Sequence, residues 1–413
     1  MRNRLLRSIV FSAITICTIA GGYAAERPLP DGKNNPEEGL ATDISASLVV
    51  CGQGARLISS FGHCSIHMSC PSANLDNYYT YLILASPANI KRFFTEGLCT
   101  GHFEAQKWDQ FSKDYVEQNR PITEYRLNLT IDEVRRLWLN LDKETYNPES
   151  RDYSFLHSQC TSIIADIIRK SLINERIEYG SIPQPLQGTL RDYTDYTVAG
   201  HPWYLFCFQS LLGAEGEQSG TIWEKLAPTV IFPVWNKSVI VDAAGNRRPV
   251  FTGDTQALFS PKPAKPLKPL KPLKPSILFA LFLVITLLLT FLERRVARTR
   301  PSAKRGWWSL FDALLLIVQT ILGLFFTWLL LFSKASWMPG NLLPIVFNPI
   351  PALIWLLFHK KKGFRRVYIL YAVVLTAMII ATPFVPQLQW GHALIFAIFL
   401  VRVLNKLPNK TKS

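Results

Sequence analysis

The chain has 413 residues, 48% of them hydrophobic, and a formal net charge of +15. That length admits more than one domain, and the excess of Lys and Arg raises nucleic acid as a partner. The placement of the basic residues argues against nucleic acid: they gather in a Pro-Lys segment and in short loops between hydrophobic runs, a pattern of membrane topology.

Met1-Arg-Asn-Arg-Leu-Leu-Arg7 is a basic n-region, Ser8 to Ala20 is an apolar stretch too short to span comfortably, and Gly21 to Ala25 offers small residues for cleavage. Residues 1–25 are therefore expected to be a secretory signal peptide, with an uncleaved anchor as the alternative. Cys17 follows Ile16, not the small residue of a lipobox, so no lipid attachment is expected there. Cleavage leaves six cysteines, Cys51, Cys64, Cys70, Cys99, Cys160 and Cys207. An even number suits an oxidising compartment, but six are too few for a disulfide scaffold in a domain of this size.

Residues 26–260 read as one globular extracytoplasmic domain of α+β class. Ile44 to Val50 has the composition of a strand and leads into a turn with Gly52 and Gly54. Phe61 to Cys70 alternates, with Phe61, His63, Ser65 and His67 on one face and Cys64, Ile66, Met68 and Cys70 on the other. Asn77 to Leu84 is a further, Tyr-rich strand. Thr130-Ile-Asp-Glu133 matches a capping box and opens a helix through about Leu141. After Cys160, the residues Ile163, Ile164, Ile167, Ile168 and Leu172 recur at helical spacing, so a helix begins at or beside that cysteine.

Residues 261–275 place proline at every third position for most of their length, which favours a polyproline II spacer of about 45 Å with its lysines along one edge. Such an edge can lie on anionic headgroups or simply be solvated. Residues 276–404 are expected to form a helical transmembrane domain of about five helices: Ile277 to Leu292, Trp307 to Phe332, Leu342 to Phe358, Val367 to Phe384 and Trp390 to Leu404. The last run is the weakest of these, being short and holding Arg402. Loops 293–306 and 359–366 are rich in Lys and Arg, and the tail 405–413 adds more, whereas loops 333–341 and 385–389 are nearly devoid of them. The basic loops belong in the cytoplasm, which places residues 26–275 outside, as a signal peptide also requires.

A thiol acts as a nucleophile when it is a thiolate, and a helix N-terminus favours that anion. Cys160 sits at such a position behind the polar His157-Ser-Gln159 and is expected nearer the domain surface than Cys207, which lies in the apolar Leu205-Phe-Cys-Phe208. The partner base must be a histidine brought close in space. His63, after Gly62 and a Gly-rich turn, is favoured, and His157 is its competitor. His102 and His201 read as structural. Strand alternation would hold His63 and Cys64 on opposite faces, so the two are not expected to meet. A zinc site is disfavoured, because His63 and His67 lie about 13 Å apart along a strand and no C-x-x-C or helical H-x-x-x-H occurs. Gln159 is a possible side-chain oxyanion donor beside backbone N–H groups at the helix start, and the third member of any triad stays open among Tyr79, Thr80, Tyr81 and Asp76.

Ser60-Phe-Gly-His-Cys-Ser-Ile66, Tyr78-Tyr-Thr-Tyr81, Phe93-Phe-Thr-Glu-Gly97, Asn119-Arg120, Leu127-Asn-Leu-Thr130 and Tyr153-Ser-Phe-Leu-His-Ser-Gln-Cys-Thr161 with Asp166 follow one another in an order that resembles a bacterial lipoprotein N-acyltransferase family, often abbreviated Lnb. The resemblance continues through Gly188-Thr-Leu-Arg-Asp192, Phe232-Pro233 and Gly340-Asn-Leu-Leu-Pro-Ile-Val-Phe-Asn-Pro349. It implies a circularly permuted papain-like (NlpC/P60-like) extracytoplasmic domain followed by an α-helical transmembrane bundle. His63 and Cys160 match the family's histidine and nucleophile, with Gln159, His157 and Tyr81 as accessory positions. The family usually carries Asp-Asn before the cysteine, and this chain departs from it with Ser158-Gln159.

The activity so implied is transfer of an acyl chain from a phospholipid or lipoprotein ester, through a thioester on Cys160, to the α-amine of a diacylated lipoprotein's N-terminal cysteine. Its partners are lipoproteins, lipid esters and the cytoplasmic membrane, and no cofactor, metal or nucleic acid is called for. A membrane-tethered thiol peptidase or amidase using the same dyad is the alternative, and a non-catalytic scaffold the third reading.

Overall fold

The computed structural model describes residues 43–55, 58–83, 86–146, 151–153, 158–181, 187–198, 200–219, 228–262, 273–299, 306–335, 337–358 and 364–407. The expected signal peptide, most of the Pro-Lys spacer and His157 lie outside the described residues. The chain divides into two compact units, Met1–Gln187 with Gly220–Pro266 and Gly188–Ser219 with Leu267–Ser413. The outer stretch read from sequence as one domain over 26–260 is thus interrupted: residues 188–219 cluster with the hydrophobic part of the chain.

In chain order the first unit presents β1 (Ser45–Cys51), β2 (His63–Cys70), β3 (Leu75–Ile83), α1 (Pro87–Glu96), β4 (Cys99–Gln106), α2 (Trp108–Glu117), β5 (Ile122–Leu127), α3 (Ile131–Tyr146), β6 (Arg151–Tyr153), α4 (Cys160–Ser171) and β7 (Arg176–Glu178). The chain then supplies α5 (Leu190–Val198) and α6 (Pro202–Leu211) to the second unit. It returns with α7 (Pro228–Trp235), β8 (Val239–Val241), β9 (Arg247–Pro249) and β10 (Phe251–Phe259). Seven strands form an antiparallel sheet in the order β10-β5-β1-β2-β3-β4-β6, and β7, β8 and β9 form a small second sheet.

Alternation along the central strands explains the layers. Leu48 and Val50 of β1 pair with Ile66 and Cys64 of β2, and this face carries α4 through the buried Ile164, Ala165 and Ile168. The opposite face, with Val49, Cys51, Tyr78 and Ile122, packs Phe111 of α2. Each fully buried aliphatic side chain contributes about 1.5–3 kcal/mol, so the α4 stripe of isoleucines is enough to fix the helix on the sheet. The capping box at α3 is present as read: Glu133 accepts the Thr130 N–H at 2.8 Å and its own N–H reaches Thr130 Oγ1 at 3.4 Å. Glu133 also binds Arg248 at 2.7 Å, which ties α3 to β9.

The second unit continues with α8 (Pro275–Thr299), α9 (Gly306–Phe332), α10 (Ile350–Phe358), α11 (Phe364–Ala381) and α12 (Trp390–Lys406). Two of these are long and apolar enough to cross a membrane, with mean hydropathies of 2.6 and 2.4 and only 17% and 22% of each span buried. A core helix of a soluble protein would be mostly buried, so these helices turn their apolar surface outward, toward lipid. The run Leu342 to Phe358, read as one span, is broken into a 3₁₀ turn at Leu343–Ile345 and α10. Its freed carbonyls are satisfied from within: Gln319 Nε2 donates to Val346 O at 3.1 Å, and Asn348 Nδ2 to Ile345 O at 3.0 Å. Gly323 permits the approach, since a Cβ there would lie 2.5 Å from the Asn348 carbonyl carbon.

Arg402, the reason for doubting the last run, is 4% exposed and fully engaged. It donates to Glu293 of α8 at 2.8 Å, Asp312 of α9 at 2.7 Å and Thr290 at 2.8 Å. A charge in an apolar bundle persists only when paired, and here it joins three helices. Arg402→Ala leaves Glu293 without its cation and Asp312 with Lys406 alone, and is expected to destabilise the bundle by about 3–5 kcal/mol. Unfolding of the full chain in detergent micelles measures this; an unchanged midpoint would contradict the clamp.

Candidate active site

β1 ends at Cys51, and the chain reverses through a tight connection held by Gly52 N–H to Pro121 O at 2.8 Å, Gly54 N–H to Ser59 O at 2.8 Å and Gly62 N–H to Ser59 O at 3.1 Å. Gly62 has φ of 83°, a left-handed conformation that a side chain would disfavour, and it delivers His63 as the first residue of β2. His63 Nε2 is 2.7 Å from Thr80 Oγ1 on β3, and its ring lies nearly parallel to Tyr115 at 6.2 Å. With Nε2 occupied, Nδ1 is left for the sulfur.

Cys160 is the first residue of α4, with Gln159 as its N-cap. Ser162 secures this end: its hydroxyl accepts the Gln159 N–H at 3.0 Å and donates to Gln159 O at 3.1 Å. The Cys160 sulfur accepts hydrogen bonds from the Cys64 thiol, the His63 ring and the Cys64 backbone N–H. Thr161 Oγ1 stands 3.9 Å from both sulfurs. The Cys64 thiol, countering burial and assisted by the His63 charge, holds the Cys160 thiol well below the usual thiol range. Burial pushes Cys64 well above it, so Cys160 is the member of the pair that ionises.

One expectation is corrected here. Cys160 is buried and Cys207 exposed, the reverse of the sequence reading, because the apolar neighbours of Cys207 belong to the lipid-associated unit and do not form a water-excluding core around it. His63 and Cys64 stand on opposite faces of β2 as alternation requires, His63 across from Cys51 and Cys64 across from Val50, and both reach the Cys160 sulfur at the end of the sheet. All six cysteines among the described residues are free thiols.

The remaining site residues fall into place around this centre. Thr80 is the group that orients His63, whereas Tyr79 binds Asp142 at 2.6 Å and Asp76 binds His67 at 2.7 Å. Tyr81 packs so closely over Gly101 that a Cβ there would lie 2.3 Å from its hydroxyl; it stacks on Tyr153 at 5.8 Å and is hydrogen-bonded by Ser158. It therefore supports the segment before Cys160 and does not touch His63's partner atom. The Tyr153 hydroxyl accepts the Cys160 backbone N–H. His102 is tied to Glu104 at 2.8 Å and His201 stacks on Tyr204 at 5.3 Å. Sequence reasoning missed Cys64, Tyr115 and Arg120 as neighbours. Arg120, 5% exposed, donates to Gly52 O at 2.8 Å and covers the Tyr115 ring at 4.7 Å, bracing the turn that presents His63. The Asn119-Arg120 pair in the sequence was the available signal.

Comparison with known families bears on this geometry. Residues 40–196 match the Lnb N-terminal periplasmic domain, and residues 268–412 match the Lnb transmembrane domain. The chain belongs to the Lnb family. No curated protein and no solved structure matches it. His63, Thr80 and Cys160 all fall inside the region shared with the Lnb periplasmic domain, which places them outside the cytoplasm.

Two outcomes follow from these contacts. Alkylation of Cys160 by iodoacetamide is expected to be on its fast plateau already at neutral pH. In Cys64→Ala, which removes a donor to the thiolate, its inflection should move to higher pH; an unmoved profile would show that Cys64 does not stabilise the anion. His67 is bridged by Glu124 and Asp76, each at 2.7 Å. Burial lowers its pKa, but the two carboxylates prevail and raise it. Its stabilisation is thus complete below the unfolded value of about 6.5 and is lost as pH rises through the folded value. His67→Gln should lower the melting temperature more at pH 5.5 than at pH 9, as scanning fluorimetry would register; equal losses would refute the linkage.

Proposed function

We propose that this Lnb-family chain is a lipoprotein N-acyltransferase working through a Cys160–His63 dyad, in a periplasmic domain of circularly permuted papain-like type. The observation that carries the reading is the low-pKa Cys160 thiol at a helix N-terminus, held by His63, in a chain whose periplasmic and transmembrane parts both match Lnb domains. The Cys160 thiolate attacks the carbonyl carbon of a lipid ester. The oxyanion so formed is met by the N-terminus of α4, and Gln159 stands beside it as N-cap.

Collapse breaks the ester C–O bond, and His63 gives its proton to the departing alkoxide, leaving a thioester on Cys160 and a lysolipid. The free α-amine of a diacylated lipoprotein then attacks the thioester and His63 takes the amine proton. The C–S bond breaks and an amide and the thiolate result. Thr80 keeps the imidazole oriented through both halves. Anchoring is consistent with this chemistry, because donor and acceptor are both confined to the bilayer and a tethered thiol meets them at raised effective concentration.

Intact-mass analysis of the purified full-length protein tests the reading. A fatty-acyl adduct that disappears in Cys160→Ser is the expected result, together with loss of lipoprotein N-acylation in cells carrying Cys160→Ala. A peptide fragment on Cys160 would replace the proposal with a thiol peptidase or amidase, and unaltered N-acylation in the Cys160→Ala strain would end it.

A further inference from the structure

Between the two regions that match Lnb domains lies α6, Pro202-Trp-Tyr-Leu-Phe-Cys-Phe-Gln-Ser-Leu211, and its side chains are arranged as no water-exposed helix would have them. The polar members point inward. Gln209 is 2% exposed and binds Arg191 and, at 2.6 Å, Asp195, while Ser210 Oγ lies 2.8 Å from His392 Nε2. On the other side, Tyr204, Cys207 and Phe208 recur at i, i+3 and i+4, with Cys207 exposed and the two aromatics half-buried. An outward apolar face over an inward polar one is the reverse of a soluble surface helix.

The C-terminus of α6 makes the same point through its backbone. The last carbonyls of a helix have no intrahelical donor and in a soluble protein are commonly left to water. Here Arg191 reaches Gln209 O at 3.3 Å and Leu212 O at 2.9 Å, and Asn341 Nδ2 reaches Ser210 O at 2.9 Å and Leu211 O at 3.1 Å. Satisfying each of these from protein side chains is what an environment without water demands.

The level of α6 is set by its neighbours within the same unit. Trp203 Nε1 donates to Leu273 O at 2.9 Å, just before α8 begins, and the rings of Trp203 and Phe206 meet Phe279 in the first turns of α8 at 6.0 and 5.5 Å. Phe206 also meets His392 at the start of α12 at 4.7 Å. Since α8 follows the periplasmic domain, its start is its outer end, and the exposed Ile277, Leu278 and Leu281 beside it belong to the lipid-facing surface. Gly213 N–H to Trp337 O at 2.7 Å and Ala214 N–H to Pro339 O at 2.9 Å fasten the following turn to the loop after α9.

We infer that α6 is an interfacial helix of the membrane body, seated in the outer headgroup region of the bilayer with Tyr204, Cys207 and Phe208 toward phospholipid and Trp203 at the edge of that face against α8. Trp and Tyr suit that depth, having an apolar ring and a polar tip. The inference rests on the membrane placement alone and stands whether or not Cys160 transfers acyl chains.

A nitroxide on Cys207 tests it in the full-length protein, with Cys99→Ser and Cys160→Ser removing competing thiols, reconstituted into phosphatidylethanolamine–phosphatidylglycerol vesicles. The collision rates with oxygen and with a water-soluble nickel chelate are compared with those of labels at Leu281→Cys and Asp254→Cys. Expected is strong broadening by oxygen and loss of nickel broadening toward the level at position 281. Nickel access equal to that at position 254 would overturn the inference, and so would protection from both reagents, which would mean protein covers this face.

Discussion

A sulfur anion withdrawn from water must be met by donors, and the geometry around Cys160 follows from that requirement. The helix start supplies backbone dipoles, the mouth of β2 supplies a thiol, an imidazole and an N–H, and Gly62 bends the chain so that all of these converge. Remove the burial and the donors become unnecessary; remove the donors and the burial would keep the thiol protonated, as it does at Cys51, where desolvation drives the thiol far up. Two buried cysteines, one at the end of β1 and one at the start of α4, therefore have opposite chemistry. The difference is the company each keeps.

The membrane unit obeys the same rule with different groups. Arg402 is admitted because Glu293, Asp312 and Thr290 surround it, and the broken segment before α10 is admitted because Gln319 and Asn348 take its carbonyls. Polar groups inside this bundle sit where helices need joining, and the hydrophobic cluster of Phe326, Met338, Phe347, Phe396 and Phe399 fills the space between. Packing among helices in lipid gains little from hydrophobicity itself, so such polar joints carry much of the specificity of the arrangement.

How far the sequence disclosed this depends on the range of the signal. The strands at 45–51, 63–70 and 75–83, the capping box at Thr130 and the helix at Cys160 were legible because each is written in a local period or cap. Thr80 was visible only as one of several nearby hydroxyls and acids, since choosing it requires the β2–β3 register, Ser65 opposite Thr80, which no local pattern contains. Cys64 was missed because alternation rules out only a contact with His63, not a third residue that both can reach. Cys207 was misjudged because apolar neighbours signify a dry core in one solvent and a lipid-facing surface in another. The run at 342–358 looked continuous because hydropathy does not register the backbone break before Pro349.

The strand order also has a kinetic side. β1 through β4 join nearest neighbours in sequence, so the hairpins that carry His63 and Thr80 close short loops, the kind of contact that forms early. Cys160 comes from much farther along the chain, and β10, which covers the outer edge of β5, comes later still. For a polypeptide threaded outward from its N-terminus, the base is assembled before the nucleophile has emerged, and β5 remains an open edge until the segment just ahead of the membrane arrives. A reactive thiol that emerges after its activating partners finds them already placed.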